Sequence, residues 1–218
     1  MRLELLGDQA VMAYCDSEQD AALLAAQVRR ENPAWCIDVV QAYFSVAVYY
    51  DIATVECVFV ADWLTCVHRD DDTSLGQGRL HVIPCCYELG LDLERIQQHT
   101  SLTREAVVEL HVAMVYTVYA IGFCPGFPYL GYLPKELAGV PRLDSPRLRV
   151  DTGSVGLTGR QTGIYTQERP GGWNIVGRTP LELVDVEDGY FPLRTGDRVQ
   201  FRRIDEKDYR GLEGGRLT

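Results

Sequence analysis

The chain has 218 residues, 46% of them hydrophobic and 24% charged, with 31 acidic against 21 basic side chains and a formal charge of −10. That length carries one large or two small hydrophobic cores. The acidic balance excludes the basic footprint of a nucleic-acid binder and leaves any local cluster of arginines conspicuous. No run of about 18 apolar residues occurs, so no membrane-spanning helix is expected. Seven cysteines without a C-x-x-C pair, and a start without a basic–apolar–small signal, suit a reducing cytoplasm. The four histidines are scattered, and none has metal-ligand spacing to a cysteine, which argues against zinc.

Residues 1–84 read as a small α+β unit. Residues 3–6, a Gly7-Asp8 turn and residues 10–14 form a strand or hairpin. A helix opens at Ser17, where Ser17-x-x-Asp20 can cap it. Leu23, Leu24, Gln27 and Val28 set its stripe, and Pro33 closes it. Residues 36–42 and 45–50 are β-rich, residues 53–67 return to helical spacing through Val55, Val58, Phe59, Asp62, Trp63 and Cys66, and residues 80–83 supply a last strand. The order βαββαβ is that of a ferredoxin-like split unit. Between helix and last strand, the polar stretch 68–79 reads as a loop. Its Asp70, Asp71 and Asp72 could ligate Mg²⁺, but such a run is far more often solvated charge.

The second unit, 85–218, opens with a short helix from Asp92 and Leu93 to His99. Ser101 or Thr103 caps another, with Glu105 in its first turn. That helix runs to about Met114 and presents Val107, Leu110, His111 and Met114 on one face. His111 is either a satisfied core histidine or a polar finger aimed into a pocket, and the stripe by itself favours the former. Residues 115–122 form a strand. The following run, GFCPGFPYLGYLP (122–134), has a Pro125-Gly126 turn and rigid walls in Phe123, Phe127, Tyr129 and Tyr132. It reads as a satellite cluster under a loop, a cleft wall or a subunit interface. From Pro141 the pattern is strand and turn, including residues 181–186 and 198–203 with a Thr195-Gly196-Asp197 turn. The polar tail from Asp205 reads as frayed. Many short strands broken by glycine imply a small closed barrel or sandwich.

The densest signal is SVGLTGRQTGIYTQERPGGWNIVGRTP (154–180), punctuated by Gly156, Gly159, Gly163, Gly171, Gly172 and Gly177. Its turns carry Arg160, Gln161, Thr162, Arg169, Asn174 and Arg178. Donors gathered beside rigid turns are how a small anionic ligand is held. The plainer reading is a barrel corner whose arginines are solvated.

Three motifs, GFCPGFPYLGYLP (122–134), PRLRVDTGSVGLTGRQTGIY (146–165) and PGGWNIVGRTP (170–180), together resemble the B subunits of ATP-hydrolysing 5-oxoprolinases. The same family holds the sporulation-kinase inhibitor KipI and the first half of the allophanate/urea-amidolyase carboxyltransferase. Weaker likeness at 6–11, 45–51 and 109–123 extends it over nearly the whole chain. One departure is Val150-Asp151-Thr152-Gly153-Ser154, where the family has Val-Pro-Ala-Gly-Ser; it bears on ligand preference rather than on fold.

The resemblance implies a ferredoxin-like α+β domain over 1–84 and a mainly-β, cyclophilin-like barrel over 85–218. It implies a cytoplasmic enzyme active only as a complex, opening 5-oxoproline to L-glutamate together with the C (carboxyltransferase-like) and A (LamB/YcsF-like) subunits of that enzyme. ATP, with Mg²⁺, would bind at a site shared with or supplied by those partners, because the chain has no G-x-x-x-x-G-K-[ST] loop. On this reading His111, Gln161 and Arg178 are the catalytic candidates. Arg160, Thr162, Tyr165, Thr179 and Phe127 bind substrate, and the arginine-bearing turns converge on one anion-accepting cavity. The alternatives are half of a urea/allophanate-type carboxyltransferase, a KipI-like histidine-kinase inhibitor and, ranked lowest, a prolyl isomerase.

Overall fold

The computed structural model describes residues 1–67 and 78–217, so the acidic run at 70–72 lies outside the described residues. The chain divides into two compact units, Met1–Gln77 and Gly78–Thr218.

In the first unit β1 (Arg2–Leu5), β2 (Ala10–Tyr14), β3 (Cys36–Ala42) and β4 (Ser45–Tyr50) form an antiparallel sheet in the order β1-β2-β4-β3. Helix α1 (Glu18–Glu31) begins where the Ser17 hydroxyl accepts the Asp20 amide at 3.0 Å and ends at Asn32 in the left-handed conformation. Its Ala21, Leu24, Ala25 and Val28 share a core with Val11, Val46 and Val48. Helix α2 (Cys57–Cys66) starts later than its apolar spacing predicts. Asp51 explains the delay: its carboxylate accepts the Ala53 amide and its carbonyl accepts Thr54 and Val55, which holds 51–55 in a turn.

The strand that would complete βαββαβ does not join this sheet. It is β5 (Leu80–Cys86), which belongs to the second unit, while β1 occupies the edge beside β2. The physical reason is the partner it finds. β5 pairs in parallel over its whole length with the last strand of the chain, and Ile83 and Cys85 enter the same core as Val199 and Phe201.

The second unit continues with α3 (Leu93–Thr100), α4 (Arg104–Ala113), β6 (Val115–Ile121), β7 (Pro128–Gly131), β8 (Arg147–Val150), β9 (Ser154–Thr158), β10 (Gln161–Ile164), β11 (Arg169–Gly171), β12 (Asn174–Arg178), β13 (Arg198–Ile204) and α5 (Glu206–Leu212). Seven strands close into a barrel in the order β10-β7-β6-β13-β5-β12-β9, with β8 and β11 as a separate two-stranded ribbon. Closure leaves the barrel without an open edge.

Two expectations for the end of the chain fail. Residues 181–186 make no strand, only isolated bridges from Glu182 to Arg216 and from Asp185 to Tyr190, and Arg216 gathers Glu182, Asp185 and Asp188 around that loop. The tail is not frayed either. The Asp205 carboxylate caps α5 by accepting the Asp208 amide at 2.8 Å, and Arg210 pairs with Glu206 one turn back. Among the described residues no helix is long and apolar enough to cross a membrane.

Gly153 shows why the glycines matter. Its φ is +82°, and a Cβ there would press into the Thr179 carbonyl oxygen. Its own amide donates to Tyr165 and its carbonyl accepts the Thr179 amide. Gly153→Ala is therefore expected to cost about 2–3 kcal/mol, since strained backbone and a carbonyl contact must both be relieved. Urea denaturation followed by circular dichroism measures it.

Candidate functional site

The aromatic side chains of the 122–134 motif are seated on bare backbone. Gly156 of β9 and Gly163 of β10 face each other across the hairpin. A Cβ at Gly163 would stand 3.0 Å from the Phe127 and Trp173 rings, and one at Gly156 would stand 3.1 Å from the Trp173 Cβ. Rings fill the volume that side chains would take. Phe127 lies edge-on to Tyr165, Trp173 and Tyr129 at centroid distances of 5.3, 5.5 and 5.0 Å, a geometry that pairs ring edge with ring face.

Beside these rings opens a cavity of about 280 Å³, lined by Phe123, Phe127, Tyr129, Tyr165 and Trp173, with Arg142 as its cation. Pro146, Pro170, Gly171 and Gly172 complete the wall. Phe123 stands at the mouth with φ +67° and an exposed ring, 5.4 Å from Phe127 and 6.1 Å from Tyr165. Burial raises the Tyr165 phenol, and the nearby Trp173 backbone and the charges of Arg142 and Arg147 pull it partly back.

The outer wall is fixed by a polar frame. The two Asp92 carboxylate oxygens accept Arg147 at 2.6 Å and the Ile175 amide at 2.7 Å. Arg95 donates to the Asn174 side-chain carbonyl at 3.0 Å, and the Asn174 amide donates to the carbonyls of Pro141 at 2.9 Å and Leu157 at 3.2 Å. The Leu143 amide donates to Gly172 at 2.8 Å. The segment carrying Arg142 and Pro146 is thus tied to α3, β9 and β12. Of this frame the sequence flagged Asn174 as a donor and Asp92 only as a helix start; Arg142 and Arg95 are lone polar residues in a loop and a short helix and carry no spacing pattern.

The predicted site residues do not come together. Phe127 and Tyr165 line the cavity. Arg160 and Gln161 lie at the β9–β10 turn, where the exposed Arg160 stacks its guanidinium 4.3 Å over the Tyr132 ring. Arg178 pairs with Ser154 at the other end of β9, whereas Gln161 pairs with Thr158. Four strand steps separate them, about 13 Å at the usual rise. There Arg178 is engaged by the Thr152 carbonyl and the Asp151 carboxylate, so the residue that replaces the family proline neutralises it. Thr179 is buried and spends its backbone amide on Gly153. The expected convergence of the arginines on one anion cavity is thereby corrected: β9 holds them apart.

His111 and Thr162 lie in the barrel interior, both fully buried. The Thr162 hydroxyl donates to the Gly156 carbonyl at 3.0 Å, so at its 3.0 Å contact with His111 it accepts from Nε2–H. His111 Nδ1 then accepts the Tyr87 hydroxyl at 2.7 Å. Every polar atom of the ring is used, and the imidazole stacks on Phe201 at 4.7 Å. His111 faces none of the cavity lining; in this fold it is a core hydrogen-bonding residue.

The family described as carboxyltransferase domain, subdomain C and D, matches residues 1–191. The chain is 36% identical over 228 residues to the B subunit of 5-oxoprolinase from Bacillus subtilis (strain 168), covering 95% of each. It is 49% identical over 113 residues to the B subunit of 5-oxoprolinase from Escherichia coli O157:H7, covering 51% of each. Among solved structures it resembles TTHA0988 with a TM-score of 0.77 and 32% identity, over 90% of this chain and 40% of that one.

Burial holds His111 neutral, drawing its pKa from 6.5 down to about 3. Between those values the unfolded chain binds a proton that the native state does not. The histidine's contribution to stability is therefore complete above about pH 6.5 and lost as pH falls towards 3. The urea midpoint of the wild type should fall more steeply between pH 7 and 4 than that of His111→Gln; parallel curves would contradict a buried neutral imidazole.

Proposed function

The chain belongs to the carboxyltransferase-domain family, subdomains C and D, and on that footing we propose that it serves as the B subunit of an ATP-dependent 5-oxoprolinase, which opens the lactam of 5-oxoproline to L-glutamate. The observation that carries this reading is identity of 36% sustained over 95% of both chains with a protein of that name. The likeness is not confined to a shared core or to one unit. The same reading takes the barrel as the cyclophilin-like half of the family fold and places the complex in the cytoplasm.

An unstrained amide is a poor electrophile near neutral pH, and coupling to ATP supplies the activation that hydrolysis needs. This chain's part is binding and orientation. Its aromatic cavity is lined by rings, prolines, glycines and one arginine, with no carboxylate, histidine, lysine or cysteine to act as base or nucleophile. Among the described residues no group of three or more His, Cys, Asp or Glu side chains could hold a metal ion. We assign ATP to the A and C subunits or to a surface shared with them.

A carboxyltransferase-like C subunit is the natural companion: in TTHA0988 the part matching this chain is 40% of a longer polypeptide, as a fused partner would produce. The exposed Arg160 and the half-buried Gln161, at the tip of the β9–β10 hairpin, are offered to that companion.

Mixing the chain with the C and A subunits should give ATP hydrolysis that depends on added 5-oxoproline and yields glutamate, while the chain alone gives none. A correctly assembled complex that hydrolyses no ATP in response to 5-oxoproline would overturn the assignment.

A further inference from the structure

We propose that the aromatic cavity is the seat of a carboxylated five-membered lactam, with Phe127, Tyr165 and Trp173 packing against the ring and the Arg142 guanidinium receiving its carboxylate. This rests on the reading of the chain as part of a 5-oxoprolinase and adds to it a location and a set of contacts.

Size limits the ligand. At about 280 Å³ the cavity sits just below the ~300–1,000 Å³ typical of drug-sized ligands, which suits a small ring better than a nucleotide. The walls suit a compact, largely saturated ring, whose C–H edges pack on aromatic faces. Those faces are held by each other and by the glycines behind them, so little ordering remains to be done on binding.

Charge selects the substituent. Around the barrel, Arg147 pairs with Asp92, Arg149 with Asp151 and Glu168, and Arg178 with Asp151, while Arg160 stacks on Tyr132 and Arg169 donates to the Gln167 side chain, and none of these five lines the cavity. Arg142 meets no carboxylate among the described residues, yet it lines the cavity in a chain of net charge −10. Its backbone is not free to drift, because its carbonyl accepts Arg95 at 3.4 Å and its neighbours Pro141 and Leu143 are bonded to Asn174 and Gly172. A guanidinium so placed can take a carboxylate through two parallel N–H···O bonds. Its field reaches the cavity wall: burial raises the Tyr129 phenol, and the Arg142 charge draws it partly back.

The test is Arg142→Gln in the reconstituted complex, with the melting temperature of the variant checked against wild type. The expected result is a KM for L-5-oxoproline raised about tenfold or more with kcat little changed, the signature of binding lost equally from ground and transition states. Arg142→Lys should recover part of the loss. Inhibition by 2-pyrrolidinone, the same ring without a carboxylate, should be equal in wild type and Arg142→Gln. An active complex whose KM is indifferent to Arg142→Gln would overturn this seat and leave the wider assignment standing. If the complex proves inactive, calorimetry of L-5-oxoproline binding to the full chain separates the two ideas. Heat that disappears in Arg142→Gln would support the seat while the assignment falls, and no heat in the wild type would overturn both. A proline-containing peptide that displaces the lactam at equal or lower concentration would overturn the small-molecule seat in favour of a peptide groove.

Discussion

The second unit depends on a close approach between aromatic rings and unsubstituted backbone. Gly156 and Gly163 stand opposite each other on adjacent strands, and Phe127 and Trp173 occupy the space their side chains would need. From this one constraint follow the edge-to-face cluster, the seating of the β6–β7 connection that carries Phe123 and Phe127, and the cavity beside them. The glycines are thus a packing device first, since each added methyl group would have to displace a ring that is itself wedged against others.

Electrostatics divides the polar residues into those that hold the fold and those left to meet a ligand. The chain His111–Thr162–Gly156 inside the barrel is saturated, and the Asp92–Arg147 and Arg95–Asn174 contacts outside it engage both Asp92 oxygens and the Asn174 side-chain amide. Buried polar groups of this kind fix one arrangement because leaving any of them unmet is expensive. Asp151 acts similarly on Arg178 and Arg149, drawing two cations into the surface of the barrel. What remains at the cavity is aromatic surface with the Arg142 guanidinium, which meets no carboxylate among the described residues.

Much of the local structure was legible in the sequence, because it follows from short-range rules. The Ser17 cap, the β-rich runs 36–42 and 45–50, the β-branched strand beginning at Val115 and the glycine-bounded strands of 154–180 all appear where the pattern places them. Which sheet a strand joins is not a local property, and β5 shows it: its alternation fits either unit, and only its parallel partner β13 decides. The C-terminal helix, in a tail whose polarity read as frayed, has no buried residue and hence no apolar stripe to read. The candidate site was half legible. Motif chemistry pointed to Phe127 and Tyr165, but nearness along the chain suggested that Arg160 and Arg178 are neighbours, when a single strand runs between them.

The parallel pairing of β5 with β13 joins residues 80–86 to 198–204, the first and last strands of the barrel. On a ribosome the earlier strand therefore waits, its hydrogen-bonding edge unmet, until nearly the entire polypeptide has been made. Closure is a late, long-range event of the kind that slows folding and leaves intermediates sticky. It also means that the stretch matched by the family, which stops at residue 191, is shorter than the stretch that can seal the barrel: a chain cut there keeps every cavity-lining residue and lacks the stave that makes the cylinder whole.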